Sequence, residues 1–277
     1  MSDFEKKYYE SEKFWTGDVL QDEMNRNRIS FTASLIPAEV HSLLDVGCGN
    51  GIFINYLKEY SKLERLVGTD RSETALRMVY AEKKLSDITQ LPFADNEFDC
   101  STCLEVIEHL PQETYKKALE EISRVSAKYI VITVPYNEDL LETQTQCPKC
   151  KSKFNADLHL RSFKETDMKQ LFSEHGFVCI KTQTFFPFKR NLGAKRLQKM
   201  EANGKFESPI CPICGYENES YEAWSPKMME EHISNPGFYN KIKQVLKKIW
   251  PKETVPGFWI AGVYKKSDDY KPNMRNY

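Results

Sequence analysis

The stretch Leu43-Leu44-Asp45-Val46-Gly47-Cys48-Gly49-Asn50-Gly51 constrains the fold more than any other part of the chain. Residues suited to a buried strand run straight into G-x-G-x-G, and an apolar-periodic segment, Ile52 to Tyr60, follows. The order is strand, glycine turn, helix. Glycine lets a backbone turn this sharply and approach a ligand with no Cβ in the way. The helix that follows aims its free N–H groups at whatever sits in the turn. Several nucleotide-type ligands suit such a turn, so the spacing and the residues after it must decide between them.

At 277 residues the chain has room for one large domain or one domain with an insertion. With 40% apolar and 29% charged residues it has the composition of an ordinary globular protein. A net charge of −1 creates no global field for nucleic acid, so such a partner would need a local basic patch. Met1 to Asn27 is rich in Glu, Lys, Asp and Tyr and lacks the apolar core of a signal peptide. No apolar run has the length of a membrane span. A cytoplasmic location is therefore expected, where the eight cysteines read as metal ligands or core residues rather than disulfides.

Two amphipathic helices are predicted at the N-terminus, over 4–15 and 21–36, with Pro37 closing the second. Strands follow at 43–46, 65–70, 83–89, 98–106 and 129–134, the last a β-branched run stopped by Pro135. Helices are predicted over 52–60, over 73–82 with Ser72 as cap, and over 114–125. Beyond an irregular segment at 136–162 come a helix at 164–175 ended by Gly176, a strand at 177–185 and a last strand at 258–264. A further helix is predicted at 238–249. Strands alternating with helices imply a parallel sheet covered on both faces. The last two strands lack a helical crossover, so the final strand is expected to run antiparallel.

Asp70 ends the second strand, on the edge where doubly wound sheets bind ligands, and an acid there suits the two hydroxyls of a ribose. After it come Asp87-Ile88, the run Leu91-Pro92-Phe93-Ala94-Asp95-Asn96-Glu97-Phe98-Asp99 and then Leu104-Glu105-Val106-Ile107-Glu108-His109. With these motifs in this order, the sequence resembles the class I S-adenosylmethionine-dependent methyltransferases of small-molecule type, from about Leu43 to Val134 and again at His159–Phe163. The resemblance implies a Rossmann-like, doubly wound, mostly parallel seven-stranded sheet with an antiparallel last strand. It implies that Asp45, Gly47, Cys48, Gly49 and Gly51 surround the methionine end of S-adenosylmethionine, Cys48 as a small filler rather than a nucleophile. Asp70 and Arg71 would meet the ribose, Asp87 and Ile88 the adenine, and Leu104 and Glu105 the sulfonium and acceptor. Asp95 and Asp99 read as structural.

Two C-P-x-C knuckles form a second signal. Thiolates at i and i+3 in a tight turn converge on one metal, and two such turns complete a tetrahedron. Cys147, Cys150, Cys211 and Cys214 therefore read as a structural Zn²⁺ site with no open position for water. Cys100 and Cys103 share the spacing but fall in a predicted strand, so they are expected in the core. The domain reading is a helical cap at 1–37, the cofactor half at 38–135, a zinc-tied substrate lid formed by 136–162 and 187–257, and the remainder of the fold at 163–186 and 258–277.

Methyl transfer needs alignment more than covalent chemistry. A hydroxyl acceptor would need a nearby base, and His159 and His109 are the candidates. The resemblance places a histidine at His159 facing the site. It also marks Glu105-Val-Ile-Glu108-His109 as a motif with which some quinone-pathway relatives hold a divalent metal, whereas a packing or helix-start role is the reading His109 itself favours. Arg161 could meet an anionic acceptor or pair with a surface acid. Tyr8, Tyr9, Phe14 and Trp15 could close over the cofactor or pack on the sheet. Seven basic residues and one acid between Lys181 and Lys205 read first as a solvated face. The functional expectation is an S-adenosylmethionine-dependent O-methylation of a small molecule such as a sugar, polysaccharide precursor or secondary metabolite. The rivals are a methyltransferase gripping RNA or protein through the zinc module, and a non-catalytic cofactor-binding scaffold.

Overall fold

The computed structural model describes residues 9, 10, 15, 23–141, 144–191, 206, 208, 210–218 and 252–268. In chain order these form α1 (Glu23–Ala33), β1 (Ser42–Val46), α2 (Ile52–Tyr60), β2 (Arg65–Asp70), α3 (Glu73–Leu76), β3 (Glu82–Leu85), β4 (Phe98–Leu104), α4 (Gln112–Val125) and β5 (Ser126–Pro135). Then come β6 (Gln144–Gln146), β7 (Lys153–Asn155), α5 (Glu165–Gln170), β8 (Phe177–Phe185), β9 (Phe188–Asn191), β10 (Lys252–Val255) and β11 (Trp259–Lys266). A seven-stranded sheet has the order β3-β2-β1-β4-β5-β11-β8. Its first five strands pair in parallel, and β11 runs antiparallel to both β5 and β8. The direction reverses because β8 continues into β9, and the returning β10, paired antiparallel to β9, feeds β11 from the edge where β8 ends.

The apolar run of β5 is buried on both faces, with Ile130, Val131, Ile132 and Val134 all inaccessible to solvent. One face packs on α4 through Ala118, Leu119, Ile122 and Val125 and on α5 through Met168. The other packs on α1 and α2 through Ile29, Phe53 and Leu57. Spacings of three and four residues give α4 this single apolar stripe, and truncating Ile122 to alanine should cost about 2–5 kcal/mol. Cys100 and Cys103 are core residues, fully buried. Asp95 and Asp99 are structural: Asp95 pairs with Arg124, and Asp99 accepts from the backbone N–H groups of His41 and Ser42.

Three of the expected elements differ most from the sequence reading. The helix after Ser72 ends at Leu76 rather than Glu82, although Ser72 caps it as expected. Asn55 takes the next turn out of helical geometry by donating to the Met78 carbonyl and accepting from the Tyr80 N–H. The third strand stops at Leu85 instead of Thr89, because Ser86 N–H bonds the Asp70 carbonyl and Asp87–Gln90 close a turn. The helix expected at 164–175 splits into α5 and a 3₁₀ turn, Ser173–His175, ended by left-handed Gly176. The helix predicted at 238–249 and most of the one at 4–15 lie outside the described residues.

The carboxyl ends of β1, β2, β4, β5 and β8 share one edge of the sheet. That edge gathers the glycine turn, Asp70, the Glu105–His109 segment and the start of the first cysteine excursion. No described helix is long and apolar enough to cross a membrane.

Candidate active site at the carboxyl edge of the sheet

The glycine turn is built by left-handed residues. Gly47 has φ +72°, and a Cβ there would lie 2.6 Å from Val106 Cγ2. Gly49 has φ +53°, and its Cβ would lie 2.8 Å from the Trp15 ring. Both positions therefore need glycine, for conformation and for close approach. The N–H groups of Gly47 and Cys48 bond the Thr69 carbonyl, which locks the turn to β2. Asp70 completes the cradle: Oδ2 accepts from Gly49 N–H and Oδ1 from Ser72 N–H, each at 2.9 Å. Burial raises the Asp70 carboxyl above its usual range, and these two backbone donors oppose the rise.

Residues from the N-terminal segment lie on this cradle. Trp15 Nε1 donates to the Tyr9 carbonyl, which also accepts from Ser72 Oγ. Asn50 donates to the Trp15 carbonyl, and the Arg71 guanidinium stacks over the Tyr9 ring. Asp45 sits beneath the turn, 2% exposed, accepting from Thr102 Oγ1 at 2.6 Å. Desolvation pushes its carboxyl up to about 7. The Cys48 side chain packs with Ile54, Leu76 and Val79, so only its backbone can line the turn, as a filler would. Asp87 accepts from the N–H and hydroxyl of Thr89, and neighbouring Ile88 is half-buried against the core.

A second constellation follows β4. Leu104 ends the strand, and Glu105 takes a left-handed conformation, φ +57°, uncommon for a residue with a Cβ. Its carboxylate accepts from Thr133 Oγ1 at 2.9 Å and from Trp259 Nε1 at 2.6 Å. Glu108 and His109 occupy the 3₁₀ turn Ile107–His109. Glu108 is 1% exposed, and neither carboxylate oxygen has a hydrogen-bond partner among the described residues, Oε1 lying 3.9 Å from His109 Nε2. Buried carboxylates are rarely left this way; desolvation, with Glu105 adding repulsion, drives its affinity for a proton far up. The Nδ1 of His109 is likewise buried and unpartnered. Its ring meets that of His159 edge-on, with centroids 4.7 Å apart. Desolvation and the nearby His159 lower the His109 pKa to about 3, so it is a neutral imidazole.

His159 reaches this point from the loop after β7. Leu160 N–H bonds the Glu108 carbonyl, and Glu138 Oε2 lies 2.5 Å from His159 Nδ1. Ligand atoms of Glu108, His109 and His159 fall within 4.8 Å of one another. Arg161 donates to the Ile107 carbonyl and stacks on the Tyr115 ring at 3.9 Å, so it braces the 3₁₀ turn. A groove of about 690 Å³ along edge strand β8, lined by residues such as Glu165, Lys169 and Val178, contains none of these groups.

The four knuckle cysteines converge. Cys147 and Cys214 have their sulfurs 3.7 Å apart, as do Cys150 and Cys211. A tetrahedron with metal–sulfur bonds of about 2.3 Å has an edge of about 3.8 Å, so the spacing fits one Zn²⁺. The two knuckles share a geometry: Lys151 N–H bonds the Cys147 carbonyl and Gly215 N–H the Cys211 carbonyl, each at 3.0 Å. Lys151, at φ +62°, adopts the left-handed conformation that Gly215 takes at φ +67°.

Residues 44–129 match the family described as methyltransferase domain. Residues 44–129 thus form a methyltransferase domain of the class I, S-adenosylmethionine-dependent kind. Over 103 residues it is 37% identical to an uncharacterized protein, MJ0638, of Methanocaldococcus jannaschii, covering 36% of this chain and 42% of that one. It is 24% identical over 165 residues to the small RNA 2'-O-methyltransferase of Arabidopsis thaliana, covering 53% of this chain and 18% of the relative. The chain thus spans less than half the length of these curated relatives. Among solved structures, the 1,6-didemethyltoxoflavin-N1-methyltransferase of Burkholderia thailandensis, with bound S-adenosylhomocysteine, superposes with a TM-score of 0.52 at 13% identity. That match covers 96% of this chain and 87% of the other.

Sequence reasoning singled out His159 and the motif Glu105-Val-Ile-Glu108-His109, but not Glu138, Thr133 and Trp259 as their partners. Trp259 lies 154 positions from Glu105, and no local pattern links them.

Proposed function

We propose that the protein transfers the methyl group of S-adenosylmethionine to a hydroxyl oxygen of an acceptor held beside Glu105, Glu108, His109 and His159, which together bind a divalent cation. The observation that carries this reading is Glu108, a buried carboxylate with both oxygens unpartnered beside an unpartnered imidazole nitrogen. Carboxylate and neutral imidazole in one cluster suit a borderline or hard divalent ion. The donor supplies an electrophilic methyl that an acceptor oxygen takes in line as the sulfur leaves, and a cation here would ease loss of that oxygen's proton.

The chain's own residues supply position. Asp70 and the glycine turn hold the donor's ribose and methionine ends, and Asp87 and Ile88 border its adenine. Trp15 and Tyr9 shield the turn from water. Thr133 and Trp259 fix Glu105 at the end of β4, between the donor cradle and the histidines. His109, neutral at working pH, offers an imidazole lone pair to the cation. The four cysteines would hold a structural Zn²⁺ that ties the β6–β7 hairpin to residues 210–218.

The acceptor we favour is a small polyhydroxylated molecule such as a sugar or polysaccharide precursor. A ribose hydroxyl of RNA is the second reading, favoured by the likeness to the small RNA 2'-O-methyltransferase. Incubating full-length protein with labelled S-adenosylmethionine and either sugar acceptors or short RNAs, with and without Mn²⁺, tests both. A cation-dependent O-methyl product supports the proposal, and the acceptor that turns over selects the class. Failure to bind S-adenosylmethionine, or a product methylated on nitrogen with no cation dependence, overturns it.

A further inference from the structure

The cluster of Glu108, His109 and His159 has an outer layer, and one member of it is built to act through another residue. Glu138 follows β5 by three positions. Asn137, in a left-handed conformation at φ +48°, turns the chain there while its N–H bonds the Phe163 carbonyl. The turn delivers the Glu138 carboxylate to His159 Nδ1 at 2.5 Å, with the two side chains only 17% and 12% exposed. The loop carrying His159 is held just as firmly. Asn155 Oδ1 accepts from the N–H groups of Asp157 and His159, and Leu158, at φ +61°, bonds the Asn155 carbonyl. Asn155 ends β7, whose hairpin with β6 carries the first cysteine knuckle.

A carboxylate accepts hydrogen bonds and cannot donate them. Its contact with Nδ1 therefore requires the proton on Nδ1. In a neutral imidazole the lone pair is then on Nε2, on the far side of the ring from Glu138. We infer that Glu138 is a positioning residue that sets the tautomer and orientation of His159, so that the Nε2 lone pair serves the site formed with Glu108 and His109. This inference rests on the cation-binding reading above. Its physical basis is general: a carboxylate bonded to the outer nitrogen of a ligating histidine fixes the ring and raises its basicity. The two histidines differ in their partners: His109 is hydrogen-bonded to the Leu158 backbone, and its Nδ1 is buried with no hydrogen-bond partner among the described residues. His159 is thus the imidazole whose tautomer a carboxylate dictates.

The test uses the full chain with zinc bound and compares wild type with Glu138→Ala, Glu138→Asp and His159→Gln. The first readout is ¹⁵N NMR of histidine-labelled protein at alkaline pH without added Mn²⁺, where imidazole is neutral; His159 is assigned by its disappearance in His159→Gln. Wild type should show the proton on Nδ1, Glu138→Ala should lose that preference, and Glu138→Asp should retain part of it. A proton on Nε2 in wild type overturns the inference. The second readout is Mn²⁺ affinity by titration calorimetry, with S-adenosylhomocysteine affinity as the control for folding. Glu138→Ala should weaken Mn²⁺ binding by about 10–100-fold and leave S-adenosylhomocysteine binding unchanged, with partial rescue by Glu138→Asp. Undiminished Mn²⁺ binding in Glu138→Ala overturns the inference. If wild type binds no Mn²⁺, the cation-binding reading fails, and the tautomer measurement alone then decides the role of Glu138.

Discussion

Trp259 Nε1 donates a 2.6 Å hydrogen bond to Glu105 Oε2, joining the first residue of the last strand to the residue after β4. With Thr133 bonding the other oxygen, the carboxylate is held from two strands. Trp259→Phe keeps an aromatic ring against Phe185 but removes this donor. Leaving a buried oxygen unpaired should cost about 1–3 kcal/mol. Mn²⁺ affinity, followed by calorimetry, should fall by about 10–100-fold with S-adenosylhomocysteine affinity unchanged. Equal Mn²⁺ affinity would show that the tryptophan does not position Glu105 for a cation.

Glu108 has the opposite balance of stability and function. Its burial with no hydrogen-bond partner among the described residues destabilises the cation-free fold. Glu108→Gln should raise the melting temperature without added cation by about 2–4 °C. The same change should lower methyl transfer by about 100-fold or more. Thermal melts paired with a methyl-transfer assay read both effects. A variant less stable than wild type would mean that Glu108 has a structural partner.

The knuckle sulfurs, 3.7 Å apart in two pairs, predict one zinc per chain by metal analysis. Cys214→Ser should lose most of it and loosen the β6–β7 hairpin, which leads into the loop carrying His159, so methyl transfer should fall. Binding of S-adenosylhomocysteine should persist, because the glycine turn is braced by β2 rather than by the knuckles. Zinc content equal to that of wild type would rule out Cys214 as a ligand.

Asp45 predicts a pH dependence. Its carboxyl is raised from 3.8 to about 7, chiefly by burial, so at intermediate pH the folded chain holds a proton that the unfolded chain has released. This contribution to stability is complete below the unfolded value near 3.8 and fades as pH rises to about 7. Chemical denaturation across this window should show wild type losing stability with rising pH relative to Asp45→Asn. Parallel curves for the two proteins would place the Asp45 pKa near its ordinary value.

The glycine turn, Asp70 and the buried β5 were legible because each rests on local chemistry: left-handed backbone, strand alternation and a carboxylate at a strand end. The knuckles were legible for the same reason, since two thiolates three residues apart can share a metal whatever the rest of the fold does. The helix after Ser72 was misjudged in length because Asn55, from another helix, ends it by bonding Met78 and Tyr80. Arg161 was read as facing an acceptor or a surface acid, but its guanidinium bonds the Ile107 carbonyl, which no local pattern indicates.

By itself, then, the sequence determined the strand–turn–helix cradle, the parallel sheet with its reversed last strand, and the two cysteine knuckles. These depend on backbone conformation and periodicity, which act over a few residues. Only the tertiary structure decided that Glu108 is buried with no hydrogen-bond partner among the described residues, that His159 meets His109 and Glu138, and that Trp259 anchors Glu105. Those relationships join segments up to 154 positions apart, and burial and hydrogen-bond satisfaction are set by such contacts rather than by neighbours in the chain.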